Sequence, residues 1–264
     1  MRRALLWILA VVLTLAAAVY QRISGPTYPL RGKVEVSGTE VPYRLPRSAE
    51  TGRDLEIPVN NAEGRLSGFI EFKRHPTEDP WTRVEMVPAG DVLSAELPAQ
   101  PPAGKLAYRI VLSKDGREMP LAGGESVIVR FRGAVPPLIQ IPHIIVMFLA
   151  MLFSVRAGLA ALNRREHPRK LVLATCALLF LGGFILGPLM QQYAFGKLWT
   201  GFPFGTDLTD NKTLVAMIAW LAALWAGRKG RAARGWVLAA SLILLIVYSI
   251  PHSLLGSELD YTKL

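Results

Sequence analysis

Five apolar runs dominate the chain: Ala4–Tyr20, Leu138–Val155, Leu171–Met190, Leu214–Ala226 and Trp236–Ile250. The charge between them is sorted into two sets of connections. One set carries Arg2, Arg3, Arg156, Arg164, Arg165, Arg169, Lys170, Arg228, Lys229, Arg231 and Arg234, with Glu166 as its lone acid. The other set comprises residues 21–136, residues 191–213 and the tail from Pro251. It balances nineteen basic residues against nineteen acidic ones. The whole net charge of +10 therefore lies on alternate connections, as happens when Lys and Arg are retained on the cytoplasmic side of a bilayer.

This pattern predicts five transmembrane helices in a bacterial inner membrane. The N-terminus is cytoplasmic, and residues 21–136 and the C-terminus are extracytoplasmic. A charge of +10 alone would suggest nucleic acid, but its position beside apolar runs makes the lipid bilayer the partner and leaves nucleic acid no role. A crossing takes roughly 17–25 residues. The third run meets that directly, and the second does so with Arg156 snorkelling to the interface. The last two runs need Thr213, Gly227, Gly235 and local thinning of the bilayer to reach across. The first run, preceded by Met-Arg-Arg and containing Ala16-Ala17-Ala18, has the layout of a secretory signal peptide. Its length exceeds the roughly 7–15 apolar residues of such a segment, which favours an uncleaved anchor over residues 1–23.

Composition narrows the chemistry. With 51% hydrophobic and 19% charged residues, the chain is not disordered. A single cysteine, Cys176, excludes an intramolecular disulfide, a Cys-based zinc site and an Fe–S cluster. Cys-x-x-Cys-His is also missing, which excludes covalent haem.

Residues 24–133 read differently. Lys33–Ser37, Leu66–Lys73, Arg83–Val87, Val92–Leu97, Leu106–Leu112 and Ser126–Phe131 are apolar at alternate positions, with Val41–Leu45 and Leu55–Val59 weaker. Turn residues such as Asn60-Asn61 and Lys114-Asp115-Gly116 separate them. Seven or eight short strands in this length predict an extracytoplasmic all-β sandwich of the immunoglobulin or fibronectin type III kind. The segment Pro101-Pro102-Ala103-Gly104-Lys105-Leu106-Ala107-Tyr108 resembles the corner of fibronectin type III and related sandwiches, which implies that the Tyr108 hydroxyl ties that corner down. No Ser/His/Asp grouping accompanies it, and His75 reads as a solvated turn residue, so the chain leans away from catalysis. Such domains bind or space other molecules.

Residues 134–264 then form a four-helix transmembrane module with an outer aromatic loop, 191–213, and an outer C-terminal tail. Topology brings His143, His252, Asp207, Asp210, Glu258 and Asp260 to the same face. A histidine inside an apolar helix requires a partner, and for His143 the candidates are His252, Asp207 and Asp210. Two imidazoles with carboxylates suit a divalent transition metal, and two imidazoles alone could ligate haem b. A quinone or other organic ligand is a further occupant. The plainer account makes Asp207 or Asp210 the cap of the fourth helix of the chain. It also places Tyr193, Trp199, Phe202 and Phe204 in an interfacial aromatic belt or at the interface with a protein partner in an envelope assembly. The spans carry no acidic or basic residue at mid-depth, which disfavours a transporter.

Overall fold

The computed structural model describes residues 2–229, 233–252, 254 and 259–263. The chain divides into two compact units. One is helical, residues 1–26 with 135–257. The other is β-rich, residues 27–134 with 258–264. Arg231 and Glu258, singled out above, lie outside the described residues.

The helical unit begins with α1 (Arg2–Ser24) and resumes with α2 (Pro137–Leu162). A continuous rod follows, made of α3 (Arg169–Phe180), one π-helical segment (Leu181–Leu186) and α4 (Gly187–Phe195). Two shorter helices complete the unit, α5 (Leu208–Ala226) and α6 (Ala233–Ser249). The expected five-span arrangement is overturned. Among the described residues, only α1, α2 and the α3–α4 rod are long and apolar enough to cross a bilayer. The fourth run fails because its helix opens on the polar turn Asp210-Asn211-Lys212, and the fifth because α6 opens on Arg234-Gly235, which leaves an apolar stretch from Trp236 to Ser249 that is too short to cross.

Small residues let these helices approach closely. Ala10, Thr14 and Ala17 form the buried stripe of α1 at helical spacing. Where α2 meets α6, a side chain at Gly158 would collide with Ser241, whose hydroxyl donates to the Ser154 carbonyl at 2.9 Å. Larger side chains point outward, including Leu5, Ile8 and Val12 on α1, Ile145 on α2 and Ile246 on α6. Arg156 does not snorkel. It is buried on α2, ion-paired to Glu166 and set against the Trp7 ring.

The β unit contains three sheets rather than the two of the expected sandwich, which corrects that assignment too. Strands β1 (Leu30–Val36) and β2 (Thr39–Leu45) form a hairpin of their own, turning at Ser37-Gly38 with both φ angles positive. A three-stranded sheet takes β4 (Leu55–Asn60), β8 (Val92–Leu97) and β7 (Val87–Ala89). The largest sheet is organised by β9 (Lys105–Lys114). Strand β5 (Ser67–Arg74) pairs along one edge of β9 and carries β6 (Thr82–Glu85) beyond it. The other edge of β9 is shared by β11 (Val127–Arg132) and β10 (Arg117–Pro120). Strand β3 (Ser48–Glu50) adds to β11 in parallel.

Leu106, Tyr108, Ile110 and Leu112 alternate inward along β9, and residues from all three sheets share their core. The Tyr108 hydroxyl donates to the Pro46 carbonyl at 2.8 Å. The resemblance implied a bond within the corner itself. Instead the hydroxyl secures the link between β2 and β3.

Candidate functional site

The polar residues of the helical unit gather at the end where α1 and α6 finish and α2 and α5 begin. His143, on the second turn of α2, places Nδ1 at 3.0 Å from the Gly182 carbonyl in the π segment. A carbonyl only accepts, so Nδ1 carries a proton and donates it. The same carbonyl accepts from the Gly187 N–H, so a widened helical turn supplies the partner that His143 requires. None of the three expected partners bonds to it.

His252, just beyond α6, pairs through Nδ1 with the Gln21 amide nitrogen of α1 at 2.9 Å. The two imidazoles lie within electrostatic reach of each other and of Lys212 and Asp207, yet each is tied to a different group. The carboxylates are engaged elsewhere. Asp207 is the N-cap of α5, accepting from the backbone N–H groups of Thr209 and Asp210. Asp210 accepts from the Thr200 backbone at 2.6 Å and from its hydroxyl at 3.1 Å. Among the described residues no three His, Cys, Asp or Glu side chains are placed to hold a metal ion.

Those carboxylates organise the aromatic loop, which is shorter than expected because residues 191–195 complete α4 and residues 208–213 open α5. Gln191 donates to the Thr200 hydroxyl, and the Phe202 N–H donates to Asn211 Oδ1 at 2.7 Å. Gly201 is required by contact: a Cβ there would stand 2.6 Å from that of Asp210. The Trp199 ring stacks on Phe184 with centroids 5.5 Å apart, and its indole N–H donates to the Phe202 carbonyl at 3.1 Å. Trp199 is thus a strut of the loop. Phe202 and Phe204 are the residues it displays, 70% and 83% exposed, beside the exposed Tyr193.

Residues that sequence reasoning passed over complete this end. Lys212 is buried, and its ammonium donates to the Ile250 carbonyl at 2.6 Å, closing the C-terminus of α6. Gln21, Thr200 and Asn211 fix the neighbouring segments. The available signal was a lysine one turn into an apolar helix, five residues after its N-cap aspartate.

At the opposite end, Arg234 donates to the carbonyls of Ala160, Ala161, Asn163, Arg164 and Glu166, capping α2.

In the β unit the C-terminal residues form a separate polar patch. The Tyr261 hydroxyl accepts from the Lys105 N–H and bonds the Lys105 carbonyl, both at 2.9 Å, while the Arg74 guanidinium lies over its ring. Asp260 accepts locally from Thr262. Asp79 pairs with Arg74 at 2.6 Å, which holds its carboxyl below the ordinary range, whereas burial pushes the Tyr261 phenol up.

No protein-family model matches the chain, and no curated protein is similar to it.

Proposed function

We propose that the chain is a non-catalytic integral protein of the bacterial inner membrane that binds a protein partner in an envelope assembly. Two features support the membrane part. Large apolar side chains such as Leu5, Ile8 and Ile246 face outward from the helical unit, while alanines such as Ala10, Ala150 and Ala240 line its interior together with Trp220 and Leu244. That pattern suits a hydrocarbon solvent and would be costly in water. Arginines also collect at the end holding Arg164, Arg169, Arg228 and Arg234, the end that the positive-inside rule assigns to the cytoplasm. The loop end and the β unit are extracytoplasmic in this reading.

The observation that carries the binding role is the display of Phe202 and Phe204. Hydrogen bonds from Thr200 to Asp210 and from Phe202 to Asn211 hold the loop backbone, so the two exposed rings are presented at low entropic cost. Carboxylates that could have served chemistry are committed to that scaffold.

The test is crosslinking followed by affinity purification of full-length protein from membranes. The Phe202→Ser/Phe204→Ser double variant should lose a partner that the parent retains, with expression and melting temperature unchanged. Equal recovery from parent and variant would remove the binding assignment. A cysteine at position 204 should be labelled by a membrane-impermeant maleimide in intact spheroplasts. Labelling only after permeabilisation would reverse the orientation.

A further inference from the structure

At the arginine-rich end, a cavity of about 1190 Å³ opens between the start of α3, the end of α5 and the start of α6. Its floor is apolar, formed by Val172, Leu173, Ala223, Leu224 and Val237. Its rim carries Arg164, Arg169, Arg228 and His167, and no acidic residue is among the described residues that line it. The nearest acid in sequence, Glu166, is already ion-paired to Arg156. Arg164, Arg169 and Arg228 are exposed and have no ion-pair partner among the described residues.

Two properties of this cavity go together. Three uncompensated guanidiniums present planar donor forks, the geometry that takes phosphate oxygens two at a time. A floor of branched aliphatic side chains continues from that rim, and a free inorganic anion would gain nothing from it. The volume also exceeds the roughly 300–1,000 Å³ of an ordinary small-molecule site. A ligand that satisfies rim and floor together has a phosphate at one end and hydrocarbon at the other.

We propose that this cavity binds an anionic phospholipid, its phosphate held by Arg164, Arg169 and Arg228 and its acyl chains resting on Val172, Leu173 and Leu224. The inference rests on the reading that the helical unit lies in a bilayer with this end at the cytoplasmic leaflet, where anionic headgroups meet basic pockets between helices. Arg234 also lines the cavity, but its donors are spent on the α2 carbonyls. It shapes the wall without supplying the charge.

The test uses the full chain purified in neutral detergent. Phosphatidylglycerol should be retained in native mass spectra and raise the melting temperature by several degrees, whereas phosphatidylcholine should do neither. Arg169→Ala with Arg228→Ala should weaken phosphatidylglycerol binding about tenfold, equivalent to ~1.4 kcal/mol, and the Arg169→Lys/Arg228→Lys pair should recover part of it. Equal effects of the two lipids, an unchanged double-alanine variant, or a full shift produced by inorganic phosphate alone would each overturn the lipid site. Extraction of native membranes with alkaline carbonate tests the underlying membrane reading separately. Release of the chain into the soluble fraction would defeat that reading whatever the lipid titration in detergent shows.

Discussion

Lys212 enters the buried end of the helical unit from the first turn of α5 and donates to the carbonyl of Ile250, 2.6 Å away at the finish of α6. One side chain thereby closes a helix that has no capping glycine. Replacing it with methionine keeps the aliphatic stem and removes the donor, leaving the carbonyl unsatisfied. A loss of about 1–3 kcal/mol is expected, read as a lower midpoint in denaturant titration of the detergent-solubilised protein. An unchanged midpoint would show that water replaces the ammonium.

Arg156 and Glu166 form the most buried ion pair among the described residues, with side chains only 4% and 10% exposed. Glu166→Gln leaves the guanidinium without its countercharge and should cost about 3–5 kcal/mol. Adding Arg156→Met to that variant should restore much of the loss, because the stranded charge is then gone. If the double variant is no more stable than the single one, desolvation of Arg156 is not the cause.

In the β unit, Tyr108→Phe removes only the hydroxyl that reaches Pro46. The ring stays in the core, so the predicted cost is about 1–3 kcal/mol for the orphaned carbonyl. Hydrogen exchange should quicken around residues 46–50 more than in β5, since β3 depends on that anchor. Uniform acceleration would assign Tyr108 a general packing role.

The docked C-terminal residues should respond to pH at both extremes. Asp79 has a lowered pKa, so its contribution is present above the unfolded value of about 3.9 and disappears as pH falls through the lower folded value. Tyr261 has a raised pKa, so its contribution is present below about 10 and is lost as pH rises through the higher folded value. A spectrophotometric titration of the protein minus that of Tyr261→Phe should isolate a phenol ionising above the usual tyrosine range. Ionisation at or below that range would contradict the docking.

Much of the secondary structure was legible in the residues. All five apolar runs are helical, and the alternating segments of the β region coincide with strands except Arg83–Val87, which is split between β6 and β7, because periodicity reports which face is buried. What periodicity does not report is where a helix becomes too polar or too short to cross, and so the five-span arrangement failed at α5 and α6. Nor does it report how strands distribute among sheets. The short strands β3, β7 and β10 were invisible for that reason: their pairing is set by tertiary neighbours, and β10 and β7 are fully exposed. The candidate site was half legible. Asp207 stood before an apolar helix and became its cap. The partner of His143 proved to be a backbone carbonyl, which no residue type announces.

The π segment at Leu181–Leu186 has a consequence for how this rod can change. It amounts to one surplus residue spliced into a regular helix. A regular helix turns about 100° per residue, whereas the widened turn takes up the surplus residue locally, and Gln191 meets Thr200 downstream of it. Deleting a single residue here lets the widened turn close to α-helical geometry with little rotation of the second half, whereas the same deletion in a regular turn of the rod would swing that half by ~100°. Single-residue deletions should therefore be tolerated better inside this segment than in the α-helical turns on either side of it.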